Sequence, residues 1–211
     1  MMKCIKWMLI LFFTAFLFFA IYLESGGNFI LNHSDKQLIT YEMRSCKKLP
    51  ENFTSFYNTV YPNYLFSDSW SYVIGDLLKP QSSRKECPCS QTAYRLFPLL
   101  EIQNKKGIDQ FLTARYIEHH FTQQECLSFN FNKFDFLEKR KGLSQVSQSL
   151  FHKKVKDLQP VEMAEILAAY EAPAKNNRYR NPEKNRKKDR PFLQSLSQQF
   201  PNKKLILNLN G

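Results

Sequence analysis

Glycine is scarce in this chain, with six among 211 residues. None falls into G-x-x-x-x-G-K-[ST] or G-x-G-x-x-G, the backbone loops that cradle phosphates, and no G-x-S-x-G elbow presents a serine nucleophile. Nucleotide-loop and serine-hydrolase chemistries are therefore disfavoured. Histidine is as sparse: His33, His119, His120 and His152 are all there is. The five cysteines are Cys4, Cys46, Cys87, Cys89 and Cys126. Cys87 and Cys89 form a C-x-C with no second pair to complete a zinc set. No metal and no cofactor are expected. Whether the four cysteines after Cys4 form one or two disulfides or stay as buried thiols depends on the compartment, and spacing leaves the pairing open. Internal repeats are lacking, and long strands too, apart from a terminal "KLILNLN" at 204–210.

Charge and apolar residues are abundant. The formal charge is +11, 43% of residues are hydrophobic and 19 are Phe. That is ample for a core, and the length suits one domain with appendages. Part of the Phe sits in an uncharged run, Trp7 to Leu23, preceded by Lys3 and Lys6 and followed by Glu24. About 17 apolar residues reach the short end of a membrane span. The flanking lysines predict a cytoplasmic N-terminus with the remainder sent across. The competing reading is a cleaved signal peptide. Against it, the run exceeds a usual h-region and "AIYLESGG" offers no Ala-x-Ala-type cleavage site.

Beyond the span, residues 24–48 read as a polar juxtamembrane linker. Loop signals at "YPN", "KPQSS" and "CPC" punctuate the stretch from Leu49 to about Arg95. Asn32 and Asn52 sit in N-x-[ST] triplets, which matter only in a eukaryotic secretory setting. Residues 106–128 are helical by spacing, with a second start at "FTQQE", where Thr122 and Glu125 form a capping box. Residues 142–152 and 160–171 are further amphipathic helices, and Pro160 suits a first turn. His119 and His120 are adjacent and so occupy different helix faces. The chain reads as mainly α. Its segment Leu167–Arg190, "LAAYEAPAKNNRYRNPEKNRKKDR", runs from an Ala-rich helix end into a basic stretch.

The text from "IEHHFTQQECLSFNFN" through "GLSQVSQSLFHKKVKDLQPVEMAEILAAYEAP" to "NPEKNRKKDR" resembles the peptidoglycan glycosyltransferases of glycosyltransferase family 51, the transglycosylase domain of class A penicillin-binding proteins. Glu118, Asn132, Gly142, Ser147, Phe151, Lys153, Asp157, Leu158, Glu162, Ala164, Pro173, Asn181, Pro182 and Glu183 fall on family positions without a gap. The resemblance implies a single lysozyme-like transglycosylase-type domain, at 49–190, behind one N-terminal transmembrane helix (7–23), with a C-terminal extension at 191–211. Such enzymes polymerise lipid-linked disaccharide-pentapeptide, lipid II, outside the cytoplasmic membrane. The chain has no room for a transpeptidase domain, so a monofunctional protein is expected.

Upstream, the resemblance decays where the family keeps its chemistry. In place of E-D-x-x-F-x-x-H-x-G, the register from Leu49 puts Tyr61 at the catalytic glutamate, Leu65 at the Phe and Asp68 at the His. The Ser/Thr-rich loop gives way to "RKECPCSQTAYRLF", which keeps Gln91 and sets Arg95 at an Asn. In the R-K-x-x-E motif Gln110 replaces the Glu and Gly107 the Lys. The reaction needs a base for a sugar hydroxyl, and a tyrosine with ordinary pKa about 10 stays protonated at neutral pH. It also needs cations for the leaving diphosphate. No Glu-Asp pair lies between residues 24 and 110 to restore the motif. Asp68 and Asp109 are the substitutes on offer. Candidate ligand contacts are Gln91, Arg95 and Glu118, and the last also falls on a helix Glu that the family uses structurally.

The expectation is a membrane-anchored pseudoenzyme of peptidoglycan biosynthesis, with an active or weakened glycosyltransferase as the alternative. The expected partners are the bacterial membrane, lipid II or a glycan strand, and other cell-wall synthesis proteins. Export and the lack of an aromatic-interleaved basic motif argue against nucleic acid. Each Lys or Arg near an anionic surface contributes roughly 1 kcal/mol of attraction. The portion from residue 24 onward should therefore bind vesicles increasingly with anionic lipid content, and less in high salt. A flat response in a co-sedimentation assay would remove the membrane role of this charge.

Overall fold

A computed structural model describes residues 2–78 and 86–173. Among them every regular element is a helix, as the sequence predicts, and the strand-like pairing is an isolated antiparallel bridge between Asp135 and Lys141. The 204–210 segment, the basic stretch after Pro173 and the domain end at 190 lie outside the described residues. The described residues fall into two compact units, one of 2–46, 64–78 and 86–127, the other of 47–63 and 128–173.

The first helix, α1 (Met2–Ser25), is long and apolar enough over Ile5–Ser25 to cross a membrane, with mean hydropathy 2.1. Its 21 residues span about 31 Å against a hydrocarbon core of about 30 Å. Through residue 19 its described side chains are exposed: Phe12 is 74% and Trp7 67% exposed. Such a row of bare aromatics suits lipid rather than water.

The sequence 24–48, expected to be a linker, is instead folded. A single turn, α2 (Gly27–Ile30), leads to α3 (His33–Arg44). A reciprocal capping box starts α3: Asn32 Oδ1 accepts from the Asp35 amide at 2.7 Å, and Asp35 Oδ2 accepts from the Asn32 amide at 3.2 Å. Asp35 is buried and its other oxygen accepts from the Glu101 amide at 2.8 Å. Asp35, Ile39 and Met43 make one buried stripe at a spacing of four. Three inward residues in twelve are enough to dock a helix yet leave its composition polar, which is why it reads as linker.

The same unit holds α5 (Ser69–Leu78), α6 (Pro88–Leu96) and α7 (Gly107–His120). The last is its axis, buried from Leu112 through Ile117 and packed by α1, α2, α5 and α6. Gly27 permits the closest approach: a Cβ there would stand 2.7 Å from the Tyr116 Cβ and press on the Leu112 carbonyl. Pro88 opens α6 at a position that needs no amide donor. Cys89 on α6 is joined to Cys126 on α8 (Gln123–Lys133), while Cys87 and Cys46 are unbridged. The start of α8 at "FTQQE" is as predicted: Thr122 and Glu125 exchange hydrogen bonds of 2.7 Å and 3.2 Å.

In the second unit, α4 (Glu51–Val60) buries Phe53, Phe56, Tyr57 and Val60, the i, i+3, i+4, i+7 stripe of an amphipathic helix. The remaining helices are α9 (Leu143–Phe151) and α10 (Pro160–Glu171), the latter apolar on nearly every side from Met163 to Tyr170. Residues that carry the family resemblance tie this unit together. Asn132 donates to the carbonyls of Lys47 and Ser128, both at 2.7 Å. Gly142 has φ 85° and would place a Cβ 2.6 Å from the Asn132 carbonyl oxygen, so only glycine fits. Ser147 donates to the Lys153 carbonyl at 2.7 Å, and the Lys153 ammonium reaches Glu162 at 2.7 Å. Burial works to raise the Glu162 carboxyl, but Lys153 and the Gln159 amide outweigh it and hold it below the usual carboxylate range.

The cross-link between Cys89 and Cys126 spans 37 positions. By chain entropy a loop of that size stabilises the folded state by about 4 kcal/mol. A C89S/C126S variant should lose stability on that order in denaturant unfolding, and reductant should then shift the wild type alone.

Candidate functional site

The predicted site residues divide between the two units. In the first, α7 carries Gln110 and Glu118 while α6 carries Gln91 and Arg95, and α6 packs along α7. Gln110 is half-buried, and Gly107, at the start of the helix, would meet nothing within 4 Å if it bore a Cβ. Space does not demand glycine there, so the lysine expected by resemblance would fit. Gln91 donates to the Glu86 carbonyl at 2.8 Å and so closes the turn into α6. Arg95 sits half-buried in the last turn of that helix.

Glu118 is engaged rather than available. Its Oε1 accepts from the Ser69 amide at 2.8 Å, the Ser69 hydroxyl at 2.9 Å and the Cys87 thiol at 3.2 Å. Its Oε2 accepts from Arg115 at 2.5 Å. With its side chain 7% exposed and its oxygens filled, Glu118 holds the start of α5 and the Cys87 turn against α7. The structural role is the one its surroundings support.

Arg115 joins this carboxylate to two others. It donates to Glu24, at the end of α1, through Nε at 3.2 Å and through a second nitrogen, and it lies 3.6 Å from Asp68. Trp70 and His119 also reach Glu24, at 2.9 Å and 3.0 Å. Burial works to lower the Arg115 pKa, but its bond to Glu24 and the Glu118 charge outweigh it and hold the guanidinium above its ordinary value. Burial likewise works to raise Asp68; its bonds from the Ser71 hydroxyl and amide, with the Arg115 charge, bring it below the usual carboxylate range. Beside them opens a cleft of about 520 Å³ lined by Leu65, Asp68, Arg115, Glu118, His119 and Thr122. His120 lines the same cleft, while its Nδ1 donates to the Tyr116 carbonyl at 2.8 Å and its ring stacks on Tyr116. Among the described residues no three His, Cys, Asp or Glu side chains are grouped to hold a metal ion.

Burial and the Glu118 charge push the Cys87 thiol up to about 12, so it is no nucleophile at neutral pH. Asp109, the other carboxylate considered as a substitute, is buried and accepts from the Lys106 amide at 2.8 Å as a helix cap.

In the second unit, Tyr61 follows the last residue of α4 and donates its hydroxyl to Glu171, the last residue of α10. Sequence reading missed Glu171. It lies 110 positions from Tyr61, and its motif neighbours mark ancestry rather than chemistry. One local signal was there: an acidic side chain in the last turn of a helix faces the negative end of the dipole, and no basic residue in that turn offsets it.

Replacing Arg115 by Met would leave Glu118 buried without its counter-charge. The expected loss is about 3 kcal/mol or more in unfolding free energy. The double variant R115M/E118Q should recover part of it in the same denaturant titration.

No curated protein matches the chain. The family described as "Transglycosylase" matches residues 90–197, which takes in Gln91, Arg95, Gln110, Glu118 and the whole of α7 to α10. With over half of its residues in that match, a mainly helical fold and an apolar N-terminal helix fit to anchor it, the chain belongs to the transglycosylase family.

Proposed function

We propose that this is a membrane-anchored member of the peptidoglycan glycosyltransferase family that binds lipid-linked precursor, glycan or a cell-wall partner without polymerising it. The observation that carries this reading is the chemistry at the two positions of the catalytic glutamates. By sequence register they hold Tyr61 and Gln110, neither of which takes a proton from a sugar hydroxyl at neutral pH. The structure offers no free replacement on α7: Glu118 is filled by donors, and Asp109 caps the helix. In this reading α1 crosses the cytoplasmic membrane with its N-terminus inside, and the domain folds on the outer side. The disulfide between Cys89 and Cys126 supports that side, since such bonds persist in oxidising compartments.

The second reading is a weakened glycosyltransferase, and one observation favours it: a carboxylate, Glu171, stands against the Tyr61 hydroxyl. A lipid II polymerisation assay on the full chain in detergent separates the two. The pseudoenzyme predicts bound labelled lipid II and no glycan product at enzyme-to-substrate ratios near one. Product that disappears in D68A or Q110A would sink it.

A further inference from the structure

We infer that α2 and the outward face of α3 form a second membrane contact, in which Phe29 and Tyr41 enter the polar layer of the bilayer while Lys36 and Arg44 meet the phosphates of anionic lipid headgroups. This rests on the reading of α1 as a membrane span and is independent of what the protein does with precursor.

The chain leaves α1 with little reach. The Gly26 amide donates to the Tyr22 carbonyl at 2.7 Å, and the amides of Phe29 and Ile30 donate to the Gly26 carbonyl at 2.9 Å and 3.0 Å. One compact turn therefore separates Ser25 from Phe29, a rise of about 6 Å. The headgroup layer beyond the hydrocarbon core adds about 5–8 Å on each side. Phe29 falls within that layer, and at 79% exposure it is not packed into the unit.

The outward face of α3 is brought to the same level. The Lys36 ammonium donates to the Asn28 carbonyl at 2.9 Å, which ties the first turn of α3 beside Phe29. Asp35, Ile39 and Met43 hold the inner side of the helix. A groove of about 550 Å³ runs along its other side, lined by His33, Lys36, Thr40, Tyr41 and Arg44 at helical spacing. Tyr41 is 70% exposed. No carboxylate lines the groove, and Arg44 has no side-chain partner among the described residues. Aromatic rings at the interface beside long basic side chains are the pattern of a helix lying in the headgroup layer. Cations without local counter-charge are drawn to an anionic surface within reach.

The test uses the full chain reconstituted in vesicles of phosphatidylcholine and phosphatidylglycerol, with one lipid or the other brominated to quench tryptophan. F29W and Y41W each add an indole, read as the increment over the wild type, and W7F gives the contribution of Trp7. Both increments should be quenched, and brominated phosphatidylglycerol should quench Y41W beyond its share of the lipid. In the Y41W background, R44Q and K36Q should each lower that preference about fivefold, the effect of one cation at an anionic surface. R44K should keep it, and R44Q should melt as the wild type does. If Trp7 is quenched and the Y41W increment is not, α1 is in the membrane but this face meets water or another protein, and the inference falls. Equal quenching by the two lipids, or a preference that survives both R44Q and K36Q, removes the headgroup contact and overturns it as well. If Trp7 itself is unquenched, the span fails and takes this inference with it.

Discussion

A buried guanidinium sets the terms for the first unit. Arg115 is 7% exposed on a helix that is apolar on both sides of it, and a cation there is tolerated only if carboxylates surround it. They come from three places: Glu24 at the end of α1, Asp68 at the start of α5, and Glu118 on α7 itself. Each of those residues also organises something else. Glu24 takes the Trp70 indole, Asp68 caps its helix through Ser71, and Glu118 gathers Ser69 and Cys87. The apolar helix is therefore joined to the unit by charge as well as by the close approach at Gly27.

The second unit relies on backbone hydrogen bonds and on the ion pairs Arg140–Glu138 and Lys153–Glu162. Its irregular stretch from Phe134 to Gly142 runs through Leu137, Glu138 and Lys139, all with positive φ. Local ties there include the Asp135 bridge, the Phe136 amide, which donates to the Arg140 carbonyl at 2.9 Å, and the Gly142 amide, which donates to the Phe134 carbonyl at 2.8 Å. Further along, Ser147, Lys153 and Glu162 hand the chain from α9 to α10. These residues, which carry the family resemblance, are engaged in holding the backbone.

Much of the architecture was legible in the sequence. The apolar run, the Thr122 capping box and the Pro160 helix start all follow from local rules. The helix over 33–44 was hidden because its inward stripe is only Asp35, Ile39 and Met43, one of them charged. The partner of Cys89 was hidden because pairing depends on how α6 lies against α8, which no spacing encodes. Glu118 read as an ambiguous mid-chain carboxylate until its donors were visible. Glu171 was missed for the opposite reason: its segment matched the family so well that its own side chain drew no notice.

The unbridged Cys87 sits two residues from a bridged one, an arrangement that invites thiol–disulfide exchange. Exchange proceeds through the thiolate. With its thiol pushed up to about 12, Cys87 is ionised in roughly one molecule in 10⁵ at pH 7. Burial of the thiol, with the Glu118 carboxylate that accepts its hydrogen bond, thereby guards the neighbouring cross-link against scrambling. The packing around one thiol thus acts as a lock on covalent topology.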